Sequence, residues 1–366
     1  MSRLDSLPTP CLLLDRARLA RNCARMQAIA THHGVRLRPH LKTAKSVEVA
    51  ELAFASGERR GAVSTLEEAA YFAAHGVEDL TYAVGIAPAK LDAILTMPAK
   101  VGILTDDVDA ARAIAAHPGR FDVWIEIDSG QHRGGLAADD PALIPLARVL
   151  ADAPRITLRG VLTHAGHSYA CRSVDAIQEV AEAERRSAVE AAERVRAAGV
   201  PCPGVSVGST PTAMRARDLT GVTELRPGVY VFGDLFQASI GSCARDDLAL
   251  SVLATVIGRR DDCVWIDAGA LALTQDRSLE GYGEVVDLDL GELPGRPRVD
   301  ALNQVHGRVV ATSGALDLSG LAVGARVRVL PNHACLTAAM FDRYFVLSSG
   351  ERLGEPPVTE WQRLRG

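Results

Sequence analysis

Within eight residues, Arg38-Pro39-His40-Leu41-Lys42-Thr43-Ala44-Lys45 sets two lysines beside an arginine and a histidine. An amine in such a cation-rich, partly desolvated setting has its pKa lowered, and a neutral lysine amine condenses with an aldehyde to a Schiff base. Lys42 is the first candidate and Lys45 the second. The segment ends an apolar run, Val35–Leu41, and the carboxyl end of a barrel strand opens into an active site. Taken alone, the octet equally suits two surface lysines at a strand-to-helix turn.

Four more clusters carry side chains of interest. Ser206-Val207-Gly208-Ser209-Thr210-Pro211-Thr212 offers small hydroxyl residues and backbone N–H groups at a turn, which suit either a phosphate or a plain helix cap. Leu162-Thr163-His164-Ala165-Gly166-His167-Ser168-Tyr169 presents two histidines and a tyrosine just past another apolar run, as donors or acceptors for an aromatic nitrogen or a carboxylate. In Gln131-His132-Arg133-Gly134-Gly135, Arg133 either holds a carboxylate bidentately or pairs with Asp128. Pro331-Asn332-His333-Ala334-Cys335-Leu336-Thr337 reads as an extended segment, in which His333 and Cys335 share one face. Imidazole with thiolate favours zinc, and two protein ligands leave coordination positions open for water and substrate, as a catalytic metal requires. The competing reading is a buried cysteine beside a hydrogen-bonded histidine.

The elements that must position these clusters follow from the apolar pattern. Strand-like runs at Val35–Leu41, Gly61–Thr65, Leu80–Val84, Val101–Leu104, Val123–Asp128, Leu158–His164, Val205–Ser209 and Leu225–Phe232 alternate with amphipathic segments such as Val174–Ala198. Eight strand-and-helix units close a barrel. After residue 245 the pattern changes to short Val/Leu runs between Gly, Pro and Asp, without long helical stretches. The expected fold is therefore α/β: a (β/α)8 TIM-like barrel over 13–240, and a second, mostly antiparallel β domain over 241–366 that takes in residues 1–12.

With 366 residues, 48% hydrophobic and 23% charged, the chain is a folded globular protein of two domains. Its net charge of -5 gives no basic face for nucleic acid or anionic lipid. The one apolar run near the start, Cys11–Leu14, is too short for a signal-peptide core, and seven scattered cysteines form no C-x-x-C pair. A cytoplasmic location is expected.

In this order and spacing the clusters resemble the D-serine dehydratase and D-threonine aldolase family of fold-type III pyridoxal-phosphate enzymes. The resemblance runs from Thr9-Pro10 through the lysine motif, Asp128–Gly134, Thr163–Tyr169, the Gly208-Ser209-Thr210 turn and Glu224–Asp234 to the final His-x-Cys. It implies that Lys42 carries pyridoxal 5'-phosphate, with His40 in the same site and Tyr169 by the pyridine nitrogen. It implies too that Gly208, Ser209 and Thr210 hold the phosphate, with Gly228 and Tyr230 of RPGVYVFGD completing that side. Arg133 and His164 would meet the substrate. His333 and Cys335 would hold Zn2+, with Mn2+ or another divalent ion as the alternative.

Aldolases of this family carry His-x-Asp and dehydratases His-x-Cys, so the resemblance implies loss of water from a D-3-hydroxy amino acid, D-serine by default, giving a 2-oxo acid and ammonia. D-threonine aldolase and amino-acid racemase activity are the alternatives, and a homodimer is the family expectation. Two departures concern the substrate side chain: Ala44 stands where the family has histidine, and Gln304-Val305-His306-Gly307 replaces its Glu-His-Gly.

Overall fold

The computed structural model describes residues 3–54, 57–277, 279–347 and 359–365. After β1 (Cys11–Asp15) and α1 (Arg16–His32) comes the alternating series β2 (Arg36–Leu37), α2 (Val47–Ala53), β3 (Arg60–Val63), α3 (Leu66–Ala74), β4 (Asp79–Gly85), α4 (Leu91–Leu95), β5 (Lys100–Thr105), α5 (Val108–Ala116), β6 (Phe121–Ile127), α6 (Leu143–Ala151), β7 (Ile156–Thr163), α7 (Val174–Ala197), β8 (Gly204–Val207), α8 (Thr210–Arg215) and β9 (Glu224–Leu225). Side chains from the sequence start several of these helices. Asp15, Thr65, Asp107 and Ser173 each accept a backbone N–H of the first turn, which satisfies donors the helix leaves open.

The parallel strands stand in the order β2-β9-β8-β7-β6-β5-β4-β3. A parallel bridge between His40 and Ala62 joins the two ends, with the Leu41 N–H donating to Ala62 O at 2.8 Å and the Ala62 N–H to Pro39 O at 2.9 Å. The ring is thereby closed. Its order puts β2, β9 and β8 side by side, so the lysine motif, the Arg226–Asp234 segment and the Gly208–Thr210 turn leave adjacent staves at one rim.

The second domain begins after α9 (Leu235–Ser239) and contains β10 (Leu250–Arg259), β11 (Cys263–Ile266), β12 (Glu284–Val286), β13 (Arg298–Leu302), β14 (Gly307–Val310), β15 (Arg326–Leu330), α10 (Ala334–Ala339), β16 (Arg343–Leu347) and β17 (Thr359–Gln362). The order β11-β14-β13-β12-β15-β10 closes on itself through a β10–β11 pairing, and β1, β16 and β17 extend the sheet beyond β10. β1 pairs antiparallel with β10 and parallel with β16, so the first strand of the chain lies in the β-domain sheet. Among the described residues no helix is long and apolar enough to cross a membrane.

Two expectations need correction. The run Leu225–Phe232 is a strand only to Leu225, because Pro227 has no N–H for a ladder and Gly228 turns the chain. The β domain also contains a helix: His333 is the N-cap of α10 and Cys335 lies in its first turn, so the His-x-Cys segment is not extended.

Candidate active site

Lys42 follows β2 and lines a cavity of about 470 Å³ together with His40, Ser64, Asp106, Glu126, Arg133, His164 and Arg226. Its turn is held from the β domain. The Tyr344 hydroxyl donates to Ala44 O at 2.6 Å, the Arg363 Nε to the same oxygen at 3.3 Å, and the Leu364 N–H to Lys45 O at 2.7 Å. Lys45, on left-handed backbone at φ 48°, pairs with the buried Glu68 at 3.0 Å. Lys42 has no ion-pair or hydrogen-bond partner among the described residues, so the two lysines of the motif have different fates.

Burial, reinforced by Lys42 and Arg226, holds the His164 imidazole down at about 3 and His40 well below the usual histidine range. Both are therefore neutral near pH 7. An unfolded chain protonates histidine near 6.5 and binds more protons than the folded chain below that pH. Stability should accordingly fall as pH drops from 6.5 toward 3. In thermal unfolding between pH 7.5 and 5, His164→Asn is expected to lose less of its midpoint than the unsubstituted protein; equal losses would remove His164 from this account.

The turn after β8 is held by its own hydrogen bonds and by α7. The Gly208 N–H, at φ +110°, donates to Glu184 Oε1 at 3.0 Å, and the Ser209 N–H to Thr212 Oγ1 at 2.9 Å. Ser209 Oγ lies 2.8 Å from Ser168 Oγ, and Thr210 Oγ1 accepts the Tyr230 N–H at 3.1 Å. A Cβ on Gly228 would stand 3.0 Å from Thr43 Oγ1 and 3.1 Å from His40 O, so glycine lets this segment approach the lysine turn. Tyr230 reaches the turn by its backbone. Its hydroxyl is buried, without a hydrogen-bond partner among the described residues, in a separate small cavity also lined by Gln237 and Ser242. Burial raises the Tyr169 phenol, nearby Cys335 and Asp234 raise it further, and the Thr210 N–H opposes them.

His333 and Cys335 meet the lysine motif from the β-domain side. Cys335 Sγ is 3.3 Å from the hydroxyl of Thr43, the residue after Lys42. His333 Nδ1 is 2.7 Å from Asp276 Oδ2, and the imidazole also reaches the Cys335 sulfur. Asp234 accepts the N–H of Ala334, between the two, at 2.9 Å. Burial pulls the His333 imidazole down, but Cys335, Asp234 and Asp276 outweigh it and lift it to about 10.

Arg133 does not pair with Asp128. Asp128 is taken by His132 at 2.6 Å, while Arg133 stands 4.0 Å from Glu126 and is 56% exposed at the mouth of the cavity.

Residues 14–235 match the family model described as alanine racemase, N-terminal domain, and residues 249–347 match that described as putative serine dehydratase domain. A D-threo-3-hydroxyaspartate dehydratase from Delftia sp. (strain HT23) is 47% identical over 99% of both chains. A D-threonine aldolase from Arthrobacter sp. is 30% identical, over 96% of this chain and 91% of that one. A solved structure of a D-threo-3-hydroxyaspartate dehydratase, a cysteine-to-alanine mutant in the metal-free form, superposes with a TM-score of 0.93 at 45% identity, covering 100% of both chains. The chain belongs to the D-serine dehydratase and D-threonine aldolase family of fold-type III pyridoxal-phosphate enzymes. It is a lyase.

The residues present fit the family's cofactor. The cavity has the size of a small-molecule site. Its walls carry buried polar atoms without partners among the described residues, His40 Nδ1 and Arg226 Nε, beside the Lys42 amine. A divalent cation is fitted by the nitrogen and sulfur donors of His333 and Cys335, with Asp276 fixing the far ring nitrogen in the manner of metal-bound histidines. Held by these two donors alone, such a cation would keep open positions.

Sequence reasoning missed several members of this site. Arg226 opens the quoted RPGVYVFGD segment, yet only the barrel interior shows its role: its Nη1 donates to Ser206 Oγ at 2.9 Å, and Ser206 donates to Glu224, which also accepts Arg38 Nε at 2.8 Å. Glu126 and Asp106 face the cavity, where burial and then Asp106 raise the Glu126 carboxyl. Asp276 comes from an irregular stretch that carries no local signal.

Proposed function

We propose that this chain is a pyridoxal-phosphate and zinc dependent dehydratase of a D-3-hydroxy amino acid, acting on D-threo-3-hydroxyaspartate in preference to D-serine. The observation that carries the reading is the contact of Cys335 with Thr43, which sets the His333–Cys335 pair against the turn of Lys42. When bound, pyridoxal phosphate supplies an electron sink for charge at Cα, and the cation supplies a Lewis acid for the 3-hydroxyl.

The chain's own residues do the rest. Burial makes the His40 and His164 imidazoles poor proton acceptors, and the Lys42 amine, without a partner among the described residues, takes the Cα proton. His333 and Cys335 would hold the cation; sulfur and nitrogen donors favour zinc over manganese. Asp234 and Asp276 fix the backbone and ring of that pair, so its donors need no rearrangement as the hydroxyl leaves. Ser209, Thr210 and Gly228 would accommodate the phosphate, with Tyr169 and Arg226 as further donors around the cofactor. Loss of water leaves an unsaturated amino acid, which hydrolyses to a 2-oxo acid and ammonia. A homodimer in the cytoplasm completes the reading, supported by family resemblance and by composition.

The preference for an acidic substrate is supported by the 47% identical dehydratase and by Arg133 at the cavity mouth. A hydrogen bond to a charged group contributes about 1.5–3 kcal/mol, and the exposure of Arg133 puts it at the low end. Arg133→Ala is therefore expected to raise KM for D-threo-3-hydroxyaspartate roughly tenfold and to leave D-serine kinetics within about twofold. An equal loss on both substrates would contradict the assignment of Arg133 to the second carboxylate.

A further inference from the structure

α7 buries the stripe Ile177, Ala181, Ala188, Ala192 and Val195 against the barrel, and Glu184 stands in the middle of it, 2% exposed. A carboxylate on an apolar stripe is costly unless its oxygens are occupied. They are. Oε1 alone accepts the N–H of Ala165 at 3.0 Å and the N–H of Gly208 at 3.0 Å, and the Thr212 side chain bonds the same carboxylate. Ala165 directly follows His164 in the loop after β7, and Gly208 opens the turn after β8. One oxygen on a helix outside the ring thus ties two loops of the site together.

We propose that Glu184 is a positioning residue of the cofactor site. It holds the loop of His164 and Tyr169 and the turn of Ser209 and Thr210 in one mutual register, and it withdraws the Gly208 N–H from the face presented to the phosphate. The proposal rests on the reading of the Lys42 cavity as the pyridoxal-phosphate site. An aliphatic side chain would suit the stripe as well as Glu184 does, but it would leave two buried N–H groups unpaired and the two loops untied.

The test is a titration with pyridoxal phosphate, followed by absorbance and protein fluorescence, on folded protein, with thermal midpoints of the cofactor-free forms measured alongside. Glu184→Ala, or Glu184→Met where the alanine variant folds poorly, is expected to bind the cofactor at least tenfold more weakly. Glu184→Gln keeps an oxygen that accepts both N–H groups and is expected to stay within about threefold of the unsubstituted protein. Wild-type affinity in the alanine or methionine variant, with only a lowered midpoint, would reduce Glu184 to a structural role and overturn the proposal. So would a loss in Glu184→Gln as large as in Glu184→Ala, since charge and not the shared acceptor would then be what matters. If the unsubstituted protein takes up no pyridoxal phosphate, the reading of the cavity fails as well, an outcome distinct from both.

Discussion

Lys42→Ala is expected to lose the visible absorption of lysine-bound cofactor and at least about a thousandfold in turnover. Lys42 is the lysine in the cavity without a partner among the described residues, and removal of a general base alone commonly costs 10²–10⁴-fold. The neighbouring lysine cannot replace it. Lys45 is bound to the buried Glu68 at 3.0 Å, and its own carbonyl is held by Leu364. A spectrum of the purified variant with added pyridoxal phosphate decides the matter: an unchanged band would move the cofactor to Lys45 and take the proton-transfer role from Lys42.

Chelation should reduce 2-oxo acid formation at least about a hundredfold while leaving the visible band in place. Lewis-acid assistance supplies several kcal/mol of transition-state stabilisation, and each 1.4 kcal/mol is about tenfold in rate. Binding and elimination then separate, because Lys42 belongs to the barrel whereas His333 and Cys335 reach it from the β domain. Cys335→Ala is expected to reproduce the chelated state, since it removes the sulfur donor and the contact with Thr43 together. Cys335→Asp should weaken zinc relative to manganese and let cleavage of D-threonine to glycine and acetaldehyde emerge. Full dehydratase activity in both the chelated protein and Cys335→Ala would exclude a catalytic metal and favour racemase chemistry.

The barrel was legible because short apolar-rich runs alternate with segments that carry a helical apolar stripe, as in Phe121–Ile127, with Val123-Trp124-Ile125 at its centre, followed by Leu143–Ala151. Strand ends were harder to place, since Pro227 and Gly228 stop β9 inside an apolar run that otherwise reads as strand. The same holds at the site. Lys42, the Gly208–Thr210 turn and the His333–Cys335 pair are local motifs, visible without a fold. Their supports are not: Glu68, Asp234 and Asp276 reach them only through tertiary structure, across 23, 100 and 57 residues respectively. His333 and Cys335 were expected side by side on a strand and meet instead at a helix start, where Ala334, Ala338 and Ala339 favour helix. Arg133 shows the limit of reading charges along a chain: its sequence neighbour Asp128 is occupied by His132, and its partner in space is Glu126. Glu184 leaves one trace, a charge in an otherwise apolar stripe.

Product analysis of one incubation tests the central claim most directly. The protein, with pyridoxal phosphate and zinc added, is given D-threo-3-hydroxyaspartate, and keto acids, amino acids and ammonia are quantified together. Oxaloacetate and ammonia in equal amounts are the result that dehydration by Lys42 and the His333–Cys335 cation predicts; glycine with glyoxylate, or an inverted amino acid with no ammonia released, would contradict it.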